Sequence, residues 1–426
     1  MVRFGAFLRG DFCSSQANLG FDHYDPSFSG YIWVMDKTLL QSSPIGQLIP
    51  FLGPDPTTNE IVEGHAFLPS PLPRGIDLST QTWNEINTAT AALARLDGAA
   101  RLIPSPALLR RPALRREAQS TSALEGTFAP FVDVLAANPD DETSMTAEIH
   151  EILNFTTVAE LAFSWPETRP ISISMLGELQ KRLVSGTAGE LSDSGQIRDR
   201  VVVIGSRGQR FEDARFIPPP PGDQLRAGVE DLLGWIHNPP AIPTVVQAAM
   251  AHYQFETLHP FSDGNGRLGR LLVVVQLLRG AVIREPLLVV SPWFEQRREQ
   301  YQDALLQLSC DGNWNSWISF FAQGVAASAT ESQLKVERLV QLQGELRERV
   351  QSAGKRGAAE RLAAVLIGRP FVTGPEIAKL FELSGQGAAN AIRALVEIGV
   401  LQEAGFRQSH GAQVYFSREV LEITAP

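Results

Sequence analysis

The residue types best suited to chemistry fall together in one stretch, His259-Pro260-Phe261-Ser262-Asp263-Gly264-Asn265-Gly266-Arg267-Leu268-Gly269-Arg270. Proline disfavours the α conformation in the residue before it. A helix leading in should therefore end at His259 and leave the imidazole in a loop, free to take a proton. Gly264, Gly266 and Gly269 let the backbone approach a ligand closely. They sit where the next helix begins, and the free N–H groups of a helix start attract anions. Arg267 and Arg270, three apart, fall on one helix face and offer two guanidinium forks of the kind that grip phosphates. Asp263 adds a hard oxygen ligand beside them, the donor that a phosphate-bridging Mg2+ needs. A base, a metal carboxylate, a backbone anion hole and two arginines are together the parts of a nucleotide phosphate-transfer site.

Each part alone has an ordinary explanation. A His before Pro is a loop residue, Asp-Gly is a turn, and two arginines three apart make a solvated helix face. The fixed spacing of all of them carries the reading. Other signatures do not occur: there is no GxxxxGK[ST], no GxGxxG opening a βαβ unit, no HExxH and no GxSxG.

The elements that must hold this loop read as helices. Val246, Ala249, Met250 and Tyr253 recur at i, i+3, i+4 and i+7 before it, and Leu268, Leu271, Leu272 and Val275 do so after it. Further helical patterns cover 82–96, with a stop at Gly98, then 112–118, 124–137, 145–165, 173–185, 293–308, 314–325 and 330–352. Residues 1–80, rich in Gly, Pro and Ser, read as an irregular lead-in with one strand near 31–35. A β-branched run at 201–204, turn chemistry at 205–208 and a short apolar run at 214–217 predict a small hairpin. The prolines at 218–221 stop it; a polyproline ligand is the other use of such a run. A linker is expected at 353–357. After it come three short helices and two strands, at 401–403 and 413–416 around a Gly-containing turn, the pattern of a winged helix.

A chain of 426 residues has room for roughly two to four domains. Its net charge of −10 gives no reason to expect a nucleic-acid coat or an anionic membrane surface. Two distant cysteines, Cys13 and Cys310, with no CxxC, argue against a disulfide framework or a zinc ribbon and fit a reducing, cytoplasmic setting. The most apolar runs, 271–278 and 287–290, are too short to span a bilayer, and the start lacks the apolar stretch of a signal peptide, so no membrane partner is expected.

At these residues the sequence resembles the Fic family, whose motif HPFx(D/E)GNGRxxR is matched at every position from His259 to Arg270. The likeness runs over residues 71–339. Upstream it takes in Leu96-Asp97-Gly98, Arg116-Glu117-Ala118 and Ala251-His252-Tyr253-Gln254-Phe255-Glu256, and downstream Tyr301 and Gly312-Asn313-Trp314. The fold class it implies is mainly α: a Fic-type helical core with a small β-hairpin flap, plus a C-terminal winged helix. The expected division is 1–140 for the N-terminal region, 141–352 for the catalytic core and 357–426 for the winged helix.

The resemblance also implies an activity, transfer of AMP from ATP to a Ser, Thr or Tyr hydroxyl of a target protein or of the chain itself. His259 would deprotonate the hydroxyl, which attacks the α-phosphate and expels pyrophosphate. Asp263 would hold Mg2+ on the α- and β-phosphates. Amides of Gly264, Asn265 and Gly266 would form the anion hole with help from the Asn265 side chain, and Arg267 and Arg270 would take the β- and γ-phosphates. Leu268 and Gly269 complete the ATP-binding stretch. Tyr301 falls where relatives place the first of two aromatic residues near the nucleotide base, and Gln302 stands at the second. The 201–217 hairpin would be the flap that docks a target segment by strand addition, with Val202-Val203 in place of an Asn-Trp pair common in relatives. ATP and a flap-docked target protein are the implied partners, and a homodimer stays open.

A second motif is Thr121-Ser122-Ala123-Leu124-Glu125-Gly126. Ser122-x-x-Glu125 has the spacing of a capping box at a helix start. In the Fic family an (S/T)xxxE(G/N) helix is autoinhibitory: its glutamate, here Glu125, pairs with the last arginine of the motif, here Arg270, and excludes the γ-phosphate. Both readings can hold together. Two other functions stay in view. One is removal of AMP, or transfer of another phosphate-containing group, on the same fold. The other is transcription regulation through the winged helix. Against DNA binding, 357–426 carries six Lys/Arg and seven acidic residues, and its recognition-helix candidate at 385–396 has only Arg393, whereas specific DNA binding uses several cationic phosphate contacts.

Overall fold

The computed structural model describes residues 35–55, 58–101, 103, 105–137, 145–165, 168–205, 210–407 and 411–425. The strand expected near 31–35 falls almost wholly outside them. Instead the lead-in holds a short helix, α1 (Lys37–Gln41), and an antiparallel pair, β1 (Gly46–Pro54) and β2 (Ile61–Pro69), with Gly46 opposite Pro69 and Pro54 opposite Ile61. Pro50, Gly53 and Gly64 break the apolar alternation by which a strand is recognised, so the sequence conceals this hairpin. Glycine is what lets it pack: a Cβ on Gly64 would lie 2.7 Å from the Phe51 ring, and one on Gly46 2.2 Å from the Phe67 ring.

The helical body follows. Ser79 caps α2 (Thr80–Ala100), which runs through Gly98 rather than stopping there. α3 (Ala107–Leu124) is longer than the pattern at 112–118 suggests and carries Pro112 within it. The expected helix at 124–137 is reduced to α4 (Phe131–Ala136), because the chain turns at Gly126, φ 101°, a conformation that ends a helix. Then come α5 (Ala147–Ser164), α6 (Ile173–Val184), α7 (Asp223–His237), α8 (Thr244–Leu258), α9 (Asn265–Arg279), α10 (Ser291–Gln296) and α11 (Arg298–Asp311). The two helices expected at 314–325 and 330–352 are one, α12 (Trp314–Ser352). Ala326, Ala327, Ser328 and Ala329 between them give the helix no reason to stop. α2 packs along α12, and one apolar core runs through the helices, from Leu72 to Val420. A smaller apolar cluster joins Phe51 and Phe67 of the hairpin to Phe216, Ile217, Leu306 and Cys310.

Residues 353–357 form a tight turn, not an extended linker, with Gly354 and Gly357 at φ 70° and 67°. Beyond it lie α13 (Ala358–Val365), β3 (Phe371–Thr373), α14 (Gly374–Phe381), α15 (Gly385–Glu397), β4 (Gln402–Arg407), β5 (Gln413–Phe416) and α16 (Arg418–Thr424). The strands form an antiparallel sheet in the order β3-β5-β4, so one short strand and one helix add to the expected pattern. This unit is bound to the body. Arg349 of α12 pairs with Glu419 at 2.6 Å, and Gln343 donates to the Ala364 carbonyl at 2.6 Å. Pro112 has no N–H for the carbonyl four residues back, that of Leu108. Gly368 closes on that carbonyl so tightly that an added Cβ would stand 2.0 Å from it. Among the described residues no helix is long and apolar enough to cross a membrane.

Candidate active site

α8 ends at His259, whose left-handed backbone (φ 48°) turns the chain into the motif loop, and the loop closes on Gly264 (φ 83°), the residue before α9. The Asn265 side chain staples the loop shut, accepting from Phe261 N at 2.9 Å and donating to Phe261 O at 2.7 Å. It is therefore engaged with the loop rather than turned toward a ligand. Arg198, almost fully buried, ties the same loop to the segment after the expected flap. It donates to the carbonyls of His259 (2.8 Å), Arg200 (2.8 Å), Leu258 (3.4 Å) and Pro219.

His259 Nδ1 lies 3.2 Å from the Glu256 carbonyl. An Nδ1–H donated there leaves the Nε2 lone pair for a substrate. Burial, reinforced by the Arg198 charge, lowers the His259 pKa to about 4, so the ring is neutral at neutral pH. The ring borders a cavity also lined by Glu125, Glu256, Gly266, Arg270 and Tyr301. Gln302 lines it as well. Tyr301 is held by its hydroxyl, 2.7 Å from Nε2 of buried His252. Burial raises Glu256 from 4.5 to about 8, against the pull of Arg270.

The two motif arginines part company. Arg270 donates through Nε to Thr121 Oγ1 (2.7 Å) and through one terminal nitrogen to the Thr121 carbonyl (3.1 Å) and to Glu125 Oε1 (2.5 Å). Arg267 instead meets Glu151 at 2.6 Å and both Asp263 oxygens at 3.4 Å. Asp263 also accepts from Gly264 N at 2.6 Å. Leu268 turns into the apolar core, its amide bonded to the Gly264 carbonyl. Gly269 packs against Glu256, where a Cβ would lie 2.2 Å from the carboxylate.

Glu125 occupies the start of α9. A Cβ on Gly266 would lie 2.0 Å from its Oε1, so the carboxylate sits over the first turn, where free N–H groups favour an anion. Burial pushes this carboxyl up, but the charge and hydrogen bond of Arg270, joined by the Arg267 charge, together outweigh it, and the net is a pKa below the ordinary range. Glu125 stands at the C-terminal end of α3, followed by Gly126, so Ser122 and Glu125 form no capping box.

Asp263 is the one acidic residue within the loop, and among the described residues no cluster of three His, Cys, Asp or Glu could enclose a metal. That donor set fits Mg2+, which keeps waters and phosphate oxygens and asks for one or two carboxylates. The expected flap is a single bridge between Ile204 and Phe216, and 206–209 lie outside the described residues. Among the described residues 201–203 have no strand partner. The segment is backed by Phe67 N donating to the Ile217 carbonyl (2.9 Å) and Phe211 N to Asp55 (3.1 Å). Arg198 and Glu151 had no signal in spacing, since each works through residues distant in sequence; His252 and Glu256 lie in the 251–256 stretch of the resemblance, which gave them no role.

Comparison with known proteins identifies the domains around this loop. The Fic/DOC family N-terminal description matches residues 83–164, and the Fic/DOC family description matches 170–277, which contains the motif loop. The protein adenylyltransferase Fic of Culex quinquefasciatus is 30% identical over 207 residues, 48% of this chain and 36% of that protein. A probable protein adenylyltransferase of Aquifex aeolicus is 36% identical over 92 residues, 22% of this chain and 26% of its own. The chain thus spans about a third of the length of the curated relatives it matches. A crystal structure of a Fic family protein from Desulfovibrio desulfuricans G20 shares the fold, with a TM-score of 0.51 at 19% identity over 80% of this chain and 97% of that one. Residues 83–164 thus match the Fic/DOC family N-terminal region, and residues 170–277 form a Fic domain that holds the motif loop.

Proposed function

We propose that this protein transfers AMP from ATP to a hydroxyl side chain of a protein, itself included, and that Glu125 holds the site shut until its segment is displaced. The observation that carries the reading is the Glu125 carboxylate over Gly266 and on Arg270. The chain's own anion fills the place prepared for a phosphate, beside a neutral imidazole. With Glu125 withdrawn, His259 Nε2 takes the proton of the incoming hydroxyl. The oxygen bonds to the α-phosphorus as the bond to the bridging oxygen breaks, and pyrophosphate leaves. Arg270, Arg267 and the amides at the start of α9 stabilise the charge that moves onto the leaving group. Mg2+ held by Asp263 and the phosphates would supply further neutralisation of that charge. The 201–203 backbone, which has no strand partner among the described residues, is suited to receiving a target segment as an added strand.

The test uses ATP labelled at either end. Label from the α-phosphate should stay on protein and vanish with His259→Ala. Retention of the γ-phosphate label instead would mean kinase chemistry and would overturn the reading. Removal of AMP is a second reading, favoured by the same Glu125 carboxylate beside the cavity, where it could align a water. In that case an AMP-bearing target loses AMP in the presence of the protein, and Glu125→Gly stops the loss.

A further inference from the structure

Autoinhibition as proposed above concerns Glu125 and Arg270, yet the other motif arginine is also held by a carboxylate from outside the motif. Glu151, on α5, places one oxygen, Oε1, 2.6 Å from an Arg267 terminal nitrogen, and the same oxygen accepts from the Thr127 hydroxyl at 3.0 Å. The Arg267 side chain is only 2% exposed, and its two contacts with Asp263 are long, 3.4 Å each. Glu151 is therefore what fixes this guanidinium. Thr127 follows the turn at Gly126, and its amide closes α3 by donating to the Ser122 carbonyl at 3.0 Å. Glu125 itself is 37% exposed, and Gly126 and Phe128 are exposed. Among the described residues the segment 125–128 makes one side-chain hydrogen bond besides that of Glu125, from Thr127 to Glu151.

We propose that Glu151 is a positioning residue that couples the two halves of the site: one oxygen orients Arg267 and, through Thr127, latches the turn that carries Glu125. The proposal rests on the autoinhibition reading. Its physical content is that segment and guanidinium share a single acceptor. When phosphates draw Arg267 toward themselves, its bond to Glu151 weakens. When the segment lifts, Glu151 loses Thr127 and pairs with Arg267 alone. Nucleotide binding and release of the segment are thereby linked, although Thr127 touches neither the nucleotide site nor Arg270.

The experiment measures AMP incorporation and amide hydrogen exchange on the full chain with ATP and Mg2+. Thr127→Val keeps the shape and removes the donor. It should raise incorporation about three- to tenfold where Glu125 is present, as loss of one partly exposed hydrogen bond of ordinary strength predicts. In the Glu125→Gly background it should change incorporation by no more than about twofold. Glu151→Gln in that background should raise KM for ATP more than it lowers kcat, the mark of a misplaced phosphate ligand. If Glu125→Gly activates but Thr127→Val does nothing, the latch is wrong and autoinhibition stands. If Glu125→Gly fails to activate, the autoinhibition reading fails, and the latch is decided by exchange alone. Thr127→Val must speed exchange of the amides of 125–127 at least about threefold; unchanged exchange overturns the latch.

Discussion

His259 owes its neutral form to burial and to the Arg198 charge, which together bring its pKa to about 4. The base form is present above that value and lost as pH falls through it. AMP transfer should therefore stay level down to about pH 5 and decline through about pH 4, followed by initial rates on folded protein. His259→Ala should reduce transfer by about 10²–10⁴ while nucleotide affinity, measured by calorimetry, stays near that of the unsubstituted protein. Glu256 titrates the other way. Its carboxyl is raised from 4.5 to about 8, so unfolding is favoured increasingly as pH rises between those values and then levels off. Glu256→Gln should gain in relative melting temperature over that window and nowhere else. Arg198 shows why such residues escape a sequence reading. Its four acceptors are backbone carbonyls of Leu258, His259, Arg200 and Pro219, and no residue pattern records a carbonyl's direction. Arg198→Met leaves several of these carbonyls unpaired and should lower stability by about 3 kcal/mol or more in urea melts.

At the scale of elements, the inhibitory contact is made by the last turn of α3: Thr121 and Glu125, four residues apart, both meet Arg270, and Gly126 at φ 101° ends the helix just after them. Arg270→Ala should not mimic removal of Glu125, because it frees the site and also deletes a phosphate ligand. The double change with Glu125→Gly should stay slow, a non-additivity expected of groups in contact, and AMP incorporation by the set checks it. The helices flanking the motif were legible because α8 and α9 bury Val246, Tyr253, Leu268 and Leu272 at helical spacing. The motif loop was legible because its chemistry is local. The β1–β2 hairpin was not, since glycines and prolines stand where its rings need room. In the 124–137 region apolar residues continue past the break that Gly126 and Pro130 mark, which hides where α4 begins. Among the described residues the expected flap hairpin is one bridge, held from behind by a hairpin that the sequence did not reveal.

Over the whole molecule, the C-terminal unit was expected to follow a linker at 353–357. Its Leu362, Leu366 and Leu395 instead belong to the same apolar core as the helical body, and Gly368 rests on the start of α3. A chain ending at Ser352 uncovers Leu342, Leu346 and Val350 of α12. With about 1.5–3 kcal/mol per large apolar side chain exposed, its melting temperature by calorimetry should fall by at least about 5 °C. The base, the anion site and the carboxylate that fills it come from α8, α9 and the end of α3, three separate parts of one core. Their joint meaning is tested most directly by AMP incorporation from α-labelled ATP, measured side by side on the full chain and its Glu125→Gly variant, with melting curves on the same samples. Misplacement of a reacting group by about 1 Å costs on the order of 10²-fold in rate. The account therefore predicts slow incorporation by the unsubstituted chain and at least about tenfold faster incorporation by the variant. Unchanged or reduced incorporation by a folded Glu125→Gly protein would contradict it.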